Sequence, residues 1–139
     1  MQGEVLPGWD ISAGWSHFKA TDADGMDMQA HQLRKVFRMA TKHEFSGVLN
    51  GFSLGGSARW ESRPPQTAVN PATRETEKVG QNAYWLVNLM GAYDINDWLS
   101  LQINVNNVFD KRYYNTNSWF GGYIYGEPRN IRATLSYGF

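Results

Sequence analysis

Two stretches of this chain alternate apolar and polar residues with a period of two, and both run long. From Trp98 to Asp110 the odd positions Leu99, Leu101, Ile103, Val105 and Phe109 are apolar, interrupted by Asn107. The even positions Ser100, Gln102, Asn104, Asn106 and Asp110 are polar, interrupted by Trp98 and Val108. The stretch from Arg129 to Phe139 repeats the pattern: Ile131, Ala133, Leu135, Tyr137 and Phe139 share one face, and Asn130, Arg132, Thr134, Ser136 and Gly138 the other. Such alternation marks a strand whose two faces meet different surroundings. Length narrows the choice. About eleven residues at roughly 3.3 Å each, tilted roughly 40°, rise on the order of 28 Å, whereas a strand in a soluble sandwich needs only about 5–6 residues.

A rise of that size crosses the hydrocarbon core of a bilayer, so the pattern predicts transmembrane β-barrel strands with lipid on one side and water on the other. Ending on an aromatic fits, because bacterial outer-membrane barrels finish on an alternating strand with a terminal Phe. The mean hydropathy of −0.51 does not oppose this, since half of such a wall is polar. No apolar run approaches 18 residues, which excludes a transmembrane helix. Cysteine is absent, so disulfides and thiolate metal sites are excluded. Thirteen basic and thirteen acidic residues cancel, leaving no global field to attract nucleic acid. Nothing at the amino terminus resembles a signal peptide, so an outer-membrane chain of this kind is expected to be a piece of a longer protein.

Strands and connections alternate along the whole chain. A stub at Met1–Val5 precedes full strands at Trp9–Ala20, Leu33–Phe45, Phe52–Arg63, Gln81–Asp94, Trp98–Asp110 and Arg129–Phe139. Lys35, Thr41 and His43 break the apolar side of the second of these. The connections run short, then long, as periplasmic turns and extracellular loops do, and Trp9, Phe45, Phe52, Tyr93, Trp98 and Phe139 sit beside the short ones as an interfacial girdle would. Six full strands and a stub do not close a barrel, and open edges in hydrocarbon leave backbone groups unpaired. The fold expected is all-β: an antiparallel segment, residues 1–139, of a larger transmembrane barrel. A small self-contained outer-membrane or lipocalin-like binding barrel is the alternative.

The stretches "INVNNVFDKRYY" and "YGEPRNIRATLSYGF" resemble the end of TonB-dependent siderophore receptors, in which a V-N-N-L-F-D-K-x-Y strand and a Y-G-x-P-R segment precede the last strand. The matching residues are Val105 to Lys111 with Tyr113, then Tyr125 to Arg129. "VLPGWDISAGWSH" resembles an upstream hairpin of the same family, with Trp15 where Tyr is commoner. The "GEPRN" variant is most similar to receptors of hydroxamate type, those for coprogen- or ferrioxamine-like siderophores. The resemblance implies the last part of a 22-stranded barrel in the bacterial outer membrane, whose plug domain and TonB box lie outside this sequence. It also implies a transported ferric siderophore rather than a cofactor, with the TonB complex, outer-membrane lipid, lipopolysaccharide and the barrel-assembly machinery as partners. Leu135, Tyr137 and Phe139 would form the assembly signal.

No residues suggest an enzyme. His17, His31 and His43 are dispersed, without the paired spacing of a metal site. Asp22, Asp24, Gly25 and Asp27 lack the distal Glu of a calcium loop and read as a solvated acidic loop. By alternation Asn104, Asn106 and Arg132 face the lumen, and Arg34, Arg38, Arg59 and Glu61 line the same wall, in contact with a plug or a ligand. Asp110, Lys111 and Arg112 lie where the strand leaves the membrane, at headgroup level. Trp119, Phe120, Tyr123 and Tyr125 gather aromatic surface in the last long loop, either as a wall for a compact ligand or as girdle and loop packing.

Overall fold

Period-two alternation becomes one antiparallel sheet in the computed structural model, which describes residues 1–19, 21, 23–25, 35–62, 66–69, 74–79, 81–117 and 123–138. The strands are β1 (Gln2–Leu6), β2 (Trp9–His17), β3 (Lys35–Glu44), β4 (Phe52–Ser62), β5 (Gln66–Val69), β6 (Thr76–Val79), β7 (Tyr84–Asn96), β8 (Leu99–Asn106), β9 (Tyr114–Asn117), β10 (Tyr123–Tyr125) and β11 (Asn130–Tyr137). Seven of them pair in the order β1-β2-β3-β4-β7-β8-β11, while β5–β6 and β9–β10 are separate hairpins in two of the long connections. Each long strand thus lies beside its neighbour in sequence, as a meander wound into a barrel wall requires.

Register keeps the two faces apart most cleanly between β8 and β11. Val105 lies opposite Ile131, Ile103 opposite Ala133, Leu101 opposite Leu135 and Leu99 opposite Tyr137. On the other face Asn106 meets Asn130, Asn104 meets Arg132, Gln102 meets Thr134 and Ser100 meets Ser136. A slip of one residue would place Asn and Arg side chains in the apolar row, so the hydrophobic pattern fixes the register. The separation continues through β4 and β7, where Leu54, Ala58 and Trp60 oppose Gly91, Val87 and Trp85 while Ser57 opposes Asn88.

Among the described residues nothing is packed against the apolar face. Ile131 is 71% exposed and Leu135 65%, and among the described residues the only buried hydrophobic side chains are Val36 and Tyr84. The chain exposes 10640 Å², against about 7,300 Å² for a compact protein of this mass. A sheet this long, apolar on one face and with that face uncovered among the described residues, has the form of a transmembrane barrel wall. The hollows of the surface lie on the polar side instead. One trough is lined by Lys42, Glu44, Asp94, Ser100 and Ser136 at the short-turn end, and another by Ser57, Asn88, Asn104 and Asn106 at mid-height.

Aromatic rings on the apolar face form two rows. At the short-turn end Trp9, His43, Phe45 and Phe52 follow one another, with ring centroids 6.0, 4.5 and 5.5 Å apart. Towards the long loops Trp15, Phe37, Trp60 and Trp85 stand in register on four consecutive strands. Their rings interleave, Trp15 stacking on Trp60 at 5.8 Å and Phe37 meeting Trp85 edge-on at 6.0 Å. From Tyr93 to Trp85 along β7 is roughly 26 Å, or roughly 20 Å along a membrane normal at a 40° tilt, near the height of a barrel's apolar band.

Several element boundaries differ from the pattern-based expectation. The Trp98 strand stops at Asn106, because Asn107 and Asp110 both adopt positive φ of 50° and turn the chain out of the sheet. Phe109 therefore leaves the lipid-facing row. Strand β7 begins at Tyr84 rather than Gln81, and its pairing runs to Asn96 past an irregularity at Asp94/Asn96, which shortens the expected turn at Ile95–Asp97. The connections expected as plain loops contain β5–β6 and β9–β10. At the short-turn end Gly8 (φ 75°) and Gly51 (φ 84°) press against the carbonyls of Glu44 and Asp94, where a Cβ would come within 2.7 and 3.0 Å of oxygen. Each glycine also accepts a bond from the same neighbour's N–H, tying adjacent turns together.

Candidate functional site

The polar face of the sheet and the loop base at its far end are the two places where this chain presents chemistry. On the polar face Gln102 donates to Asn104 Oδ1 at 3.1 Å, and Asn106 Nδ2 donates to Asn130 Oδ1 at 2.9 Å. Arg132 stands opposite Asn104, as alternation predicts. Arg38 lies opposite Arg59. Like charges so placed repel, and Glu61 offsets this by pairing with Arg59. Glu61 is only 2% exposed and is held by Tyr84, whose hydroxyl donates to Oε2 at 2.6 Å. A carboxylate with both an ion pair and a hydroxyl donor is tolerable when buried. Sequence alternation places Glu61 on this wall; it gives no sign of Tyr84, which stands opposite it. Arg34 lies outside the described residues.

Above this wall, residues 107–117 and 123–130 are clasped to each other. Asn107, which interrupts the sequence alternation, is 5% exposed. Its amide Nδ2 donates to the carbonyls of Lys111 at 2.9 Å and Glu127 at 3.0 Å, and Oδ1 accepts from Lys111 N–H at 2.8 Å. Its own N–H donates to Asn88 Oδ1 at 2.9 Å, and Asn88 Nδ2 donates to Ser57 Oγ at 3.1 Å. Asp110, expected as a headgroup-level charge, accepts from Arg129 N–H at 2.9 Å and joins the two arms of the loop. Gly126 N–H bonds to Tyr113 O, and a side chain at 126 would collide with the Tyr113 ring. The motif segments 105–113 and 125–129 thus hold each other.

Aromatic rings continue upward from the clasp. Tyr113 packs on Tyr84 at 5.1 Å, and Tyr114 on Tyr125 at 5.0 Å. Burial pushes the Tyr113 phenol above its ordinary value of 10.0, and the Glu127 and Glu61 carboxylates act in the same direction. Gln81 brackets Tyr114, accepting from its N–H at 2.6 Å. Of the four expected ligand aromatics, Tyr125 is 66% exposed and open to a partner. Tyr123 lies in β10, with its side chain outside the described set, and Trp119 and Phe120 lie outside the described residues. Leu135 and Tyr137 face outward on the apolar side, and Phe139 is not described. Among the described residues no cluster of His, Asp or Glu has the arrangement of a metal site.

No family model matches this sequence. Over all 139 residues it is 37% identical to the ferripyoverdine receptor of Pseudomonas aeruginosa, of whose length it spans 17%. It is 31% identical over 98 residues to the ferrioxamine B receptor of Salmonella typhimurium, covering 68% of this chain and 13% of that protein. Among solved structures, the pyoverdine outer membrane receptor of Pseudomonas aeruginosa bound to pyoverdine superposes with a TM-score of 0.88 at 37% identity, over 99% of this chain and 20% of that one. These relatives are receptors, not enzymes.

Proposed function

We propose that this chain, homologous along its whole length to ferric-siderophore receptors, is the carboxy-terminal part of the barrel of a TonB-dependent receptor in the bacterial outer membrane. The whole protein binds a ferric siderophore at its extracellular side and imports it with energy drawn from the TonB complex. A plug domain in the rest of the protein fills the lumen against Arg38, Arg59, Asn104 and Arg132. Lipid and lipopolysaccharide cover the apolar face, and the barrel-assembly machinery reads the strand ending in Leu135, Tyr137 and Phe139. The observation that carries this reading is the register of β8 and β11, polar on polar and apolar on apolar at every pair, in a seven-stranded sheet whose apolar face has no cover among the described residues. A self-contained lipocalin-like barrel fits less well, because its apolar side faces inward and is filled.

The siderophore proposed is of pyoverdine type. Identity to the ferripyoverdine receptor extends over the full chain, whereas the match that favours a ferrioxamine-like hydroxamate covers 68% of it. The test is uptake of radiolabelled iron by cells carrying the complete receptor gene as their one siderophore receptor. Uptake from ferripyoverdine that stops when TonB is deleted supports the proposal. Uptake from ferrioxamine B alone moves the assignment to the hydroxamate type, and uptake from neither sinks it. In the same receptor, Tyr125→Ala should weaken ferripyoverdine binding by about 1–3 kcal/mol, the contribution of one buried aromatic wall. Wild-type affinity in a titration of the purified variant would reduce Tyr125 to loop packing.

A further inference from the structure

We infer that Asn107 is a positioning residue, which sets the two arms of the extracellular loop, residues 107–117 and 123–130, on the lumenal wall and thereby sets siderophore affinity; this rests on the receptor function proposed above. One side-chain amide bonds to both arms at once, beside the Asp110–Arg129 and Tyr113–Gly126 links. Its two N–H bonds go to opposite arms of the loop, to Lys111 O on the outgoing arm and Glu127 O on the returning one. Its oxygen turns back to Lys111 N–H, so both donors and one acceptor position of the side chain are used. The positive φ of 50° that aims it there is one that Asn tolerates better than most residues. Below it, Asn107 N–H reaches Asn88 Oδ1, and Asn88 reaches Ser57 on the next strand. A continuous set of polar contacts therefore runs from the mid-wall of β4 through β7 to both arms of the loop.

Position 107 needs a donor of two hydrogens and an acceptor at once, in a buried place. Asp matches Asn in shape and offers acceptors only, so it would face two carbonyls with no hydrogen to give. Position 88 needs only an oxygen for the Asn107 N–H, and the Ser57 hydroxyl can rotate to donate instead. The two sites therefore respond oppositely to the same Asn→Asp change. Position 110 offers a third handle: Gly keeps the positive φ and removes the acceptor for Arg129 N–H.

The experiment uses the complete receptor in detergent or outer-membrane vesicles, with hydrogen exchange of peptides spanning 108–128 and titration with ferripyoverdine. Asn107→Asp should speed exchange in the loop, leave the strands β4 and β7 as in wild type, and weaken binding about tenfold or more. Asn88→Asp should match wild type in both readouts, and Asn88→Leu should follow Asn107→Asp. If Asn107→Asp does not assemble, Asp110→Gly carries the same expectation for loop exchange and affinity. Unchanged loop exchange in these variants overturns the inference, as does faster exchange spread over the whole sheet or a loosened loop with wild-type affinity. A wild-type receptor that ignores ferric siderophores overturns the proposed function, and loop exchange then decides the clasp alone.

Discussion

Thr41 and His43 look out of place on a face that should meet lipid, and their contacts explain them. Trp9 Nε1 donates to Thr41 Oγ1 at 2.7 Å, and the hydroxyl passes its own hydrogen to Asp10 O at 3.1 Å. His43 stands edge-on to both Trp9 and Phe45. Both residues serve the ring row at the short-turn end, where an amphipathic indole needs a polar partner. Thr41→Val in the complete receptor should cost about 1 kcal/mol of unfolding stability by stranding the indole N–H; an unchanged denaturant midpoint would show that water takes over the bond. Tyr113 gives a pH prediction. Its raised pKa means that the folded loop holds the neutral phenol more firmly than the unfolded chain does. That contribution is complete below the unfolded value of about 10 and disappears as pH rises through the folded one. Loop protection, taken relative to the intrinsic base-catalysed exchange rate, should fall above pH 10 in wild type and hold in Tyr113→Phe, and matching protection profiles in the two proteins would count against it. At this scale the sequence reveals positions but not partners. Asn107 announces itself as a break in alternation, yet its bonds reach Asn88 and Glu127, which no local pattern connects to it.

At the scale of elements, period two located the six longer strands of the large sheet, because their faces differ in polarity along their length, while the five-residue β1 was legible only as a stub. The ends were less legible. Termination of β8 at Asn106 depends on backbone φ at Asn107, and the hairpins β5–β6 and β9–β10 are four residues or fewer per strand, too short for alternation to register. The row Trp15, Phe37, Trp60 and Trp85 was also hidden, since it exists only once four strands are in register. Trp60 is central to it, stacked on Trp15 and opposite both Phe37 and Trp85. Trp60→Ala should lower receptor stability by about 1–3 kcal/mol through lost ring contacts. Trp85→Ala in the Trp60→Ala background should cost less than it does alone, because the two share partners. Strict additivity in unfolding measurements would mean that each ring deals with lipid independently.

The whole molecule is a wall, and its energetics differ from those of a globular domain. With Val36 and Tyr84 as the buried hydrophobics among the described residues, the apolar face contributes stability only where lipid covers it. The edge strands β1 and β11 each pair on one side only within this sheet, and further strands in the complete receptor would satisfy the other. The last long loop was legible as an aromatic cluster, but the way it stands on the wall was not, because the clasp is built from backbone carbonyls and buried amides. The central claim is that one face meets lipid and the other an aqueous lumen. It is tested most directly by single cysteines at Ser100, Asn104, Arg132, Leu101, Ile103 and Leu135 in the complete receptor, assembled in the outer membrane and treated with a membrane-impermeant maleimide after urea has displaced the lumen contents. Labelling at Ser100, Asn104 and Arg132, with Leu101, Ile103 and Leu135 protected, is the result this structure predicts; the reverse pattern, or equal labelling of both sets, would contradict it.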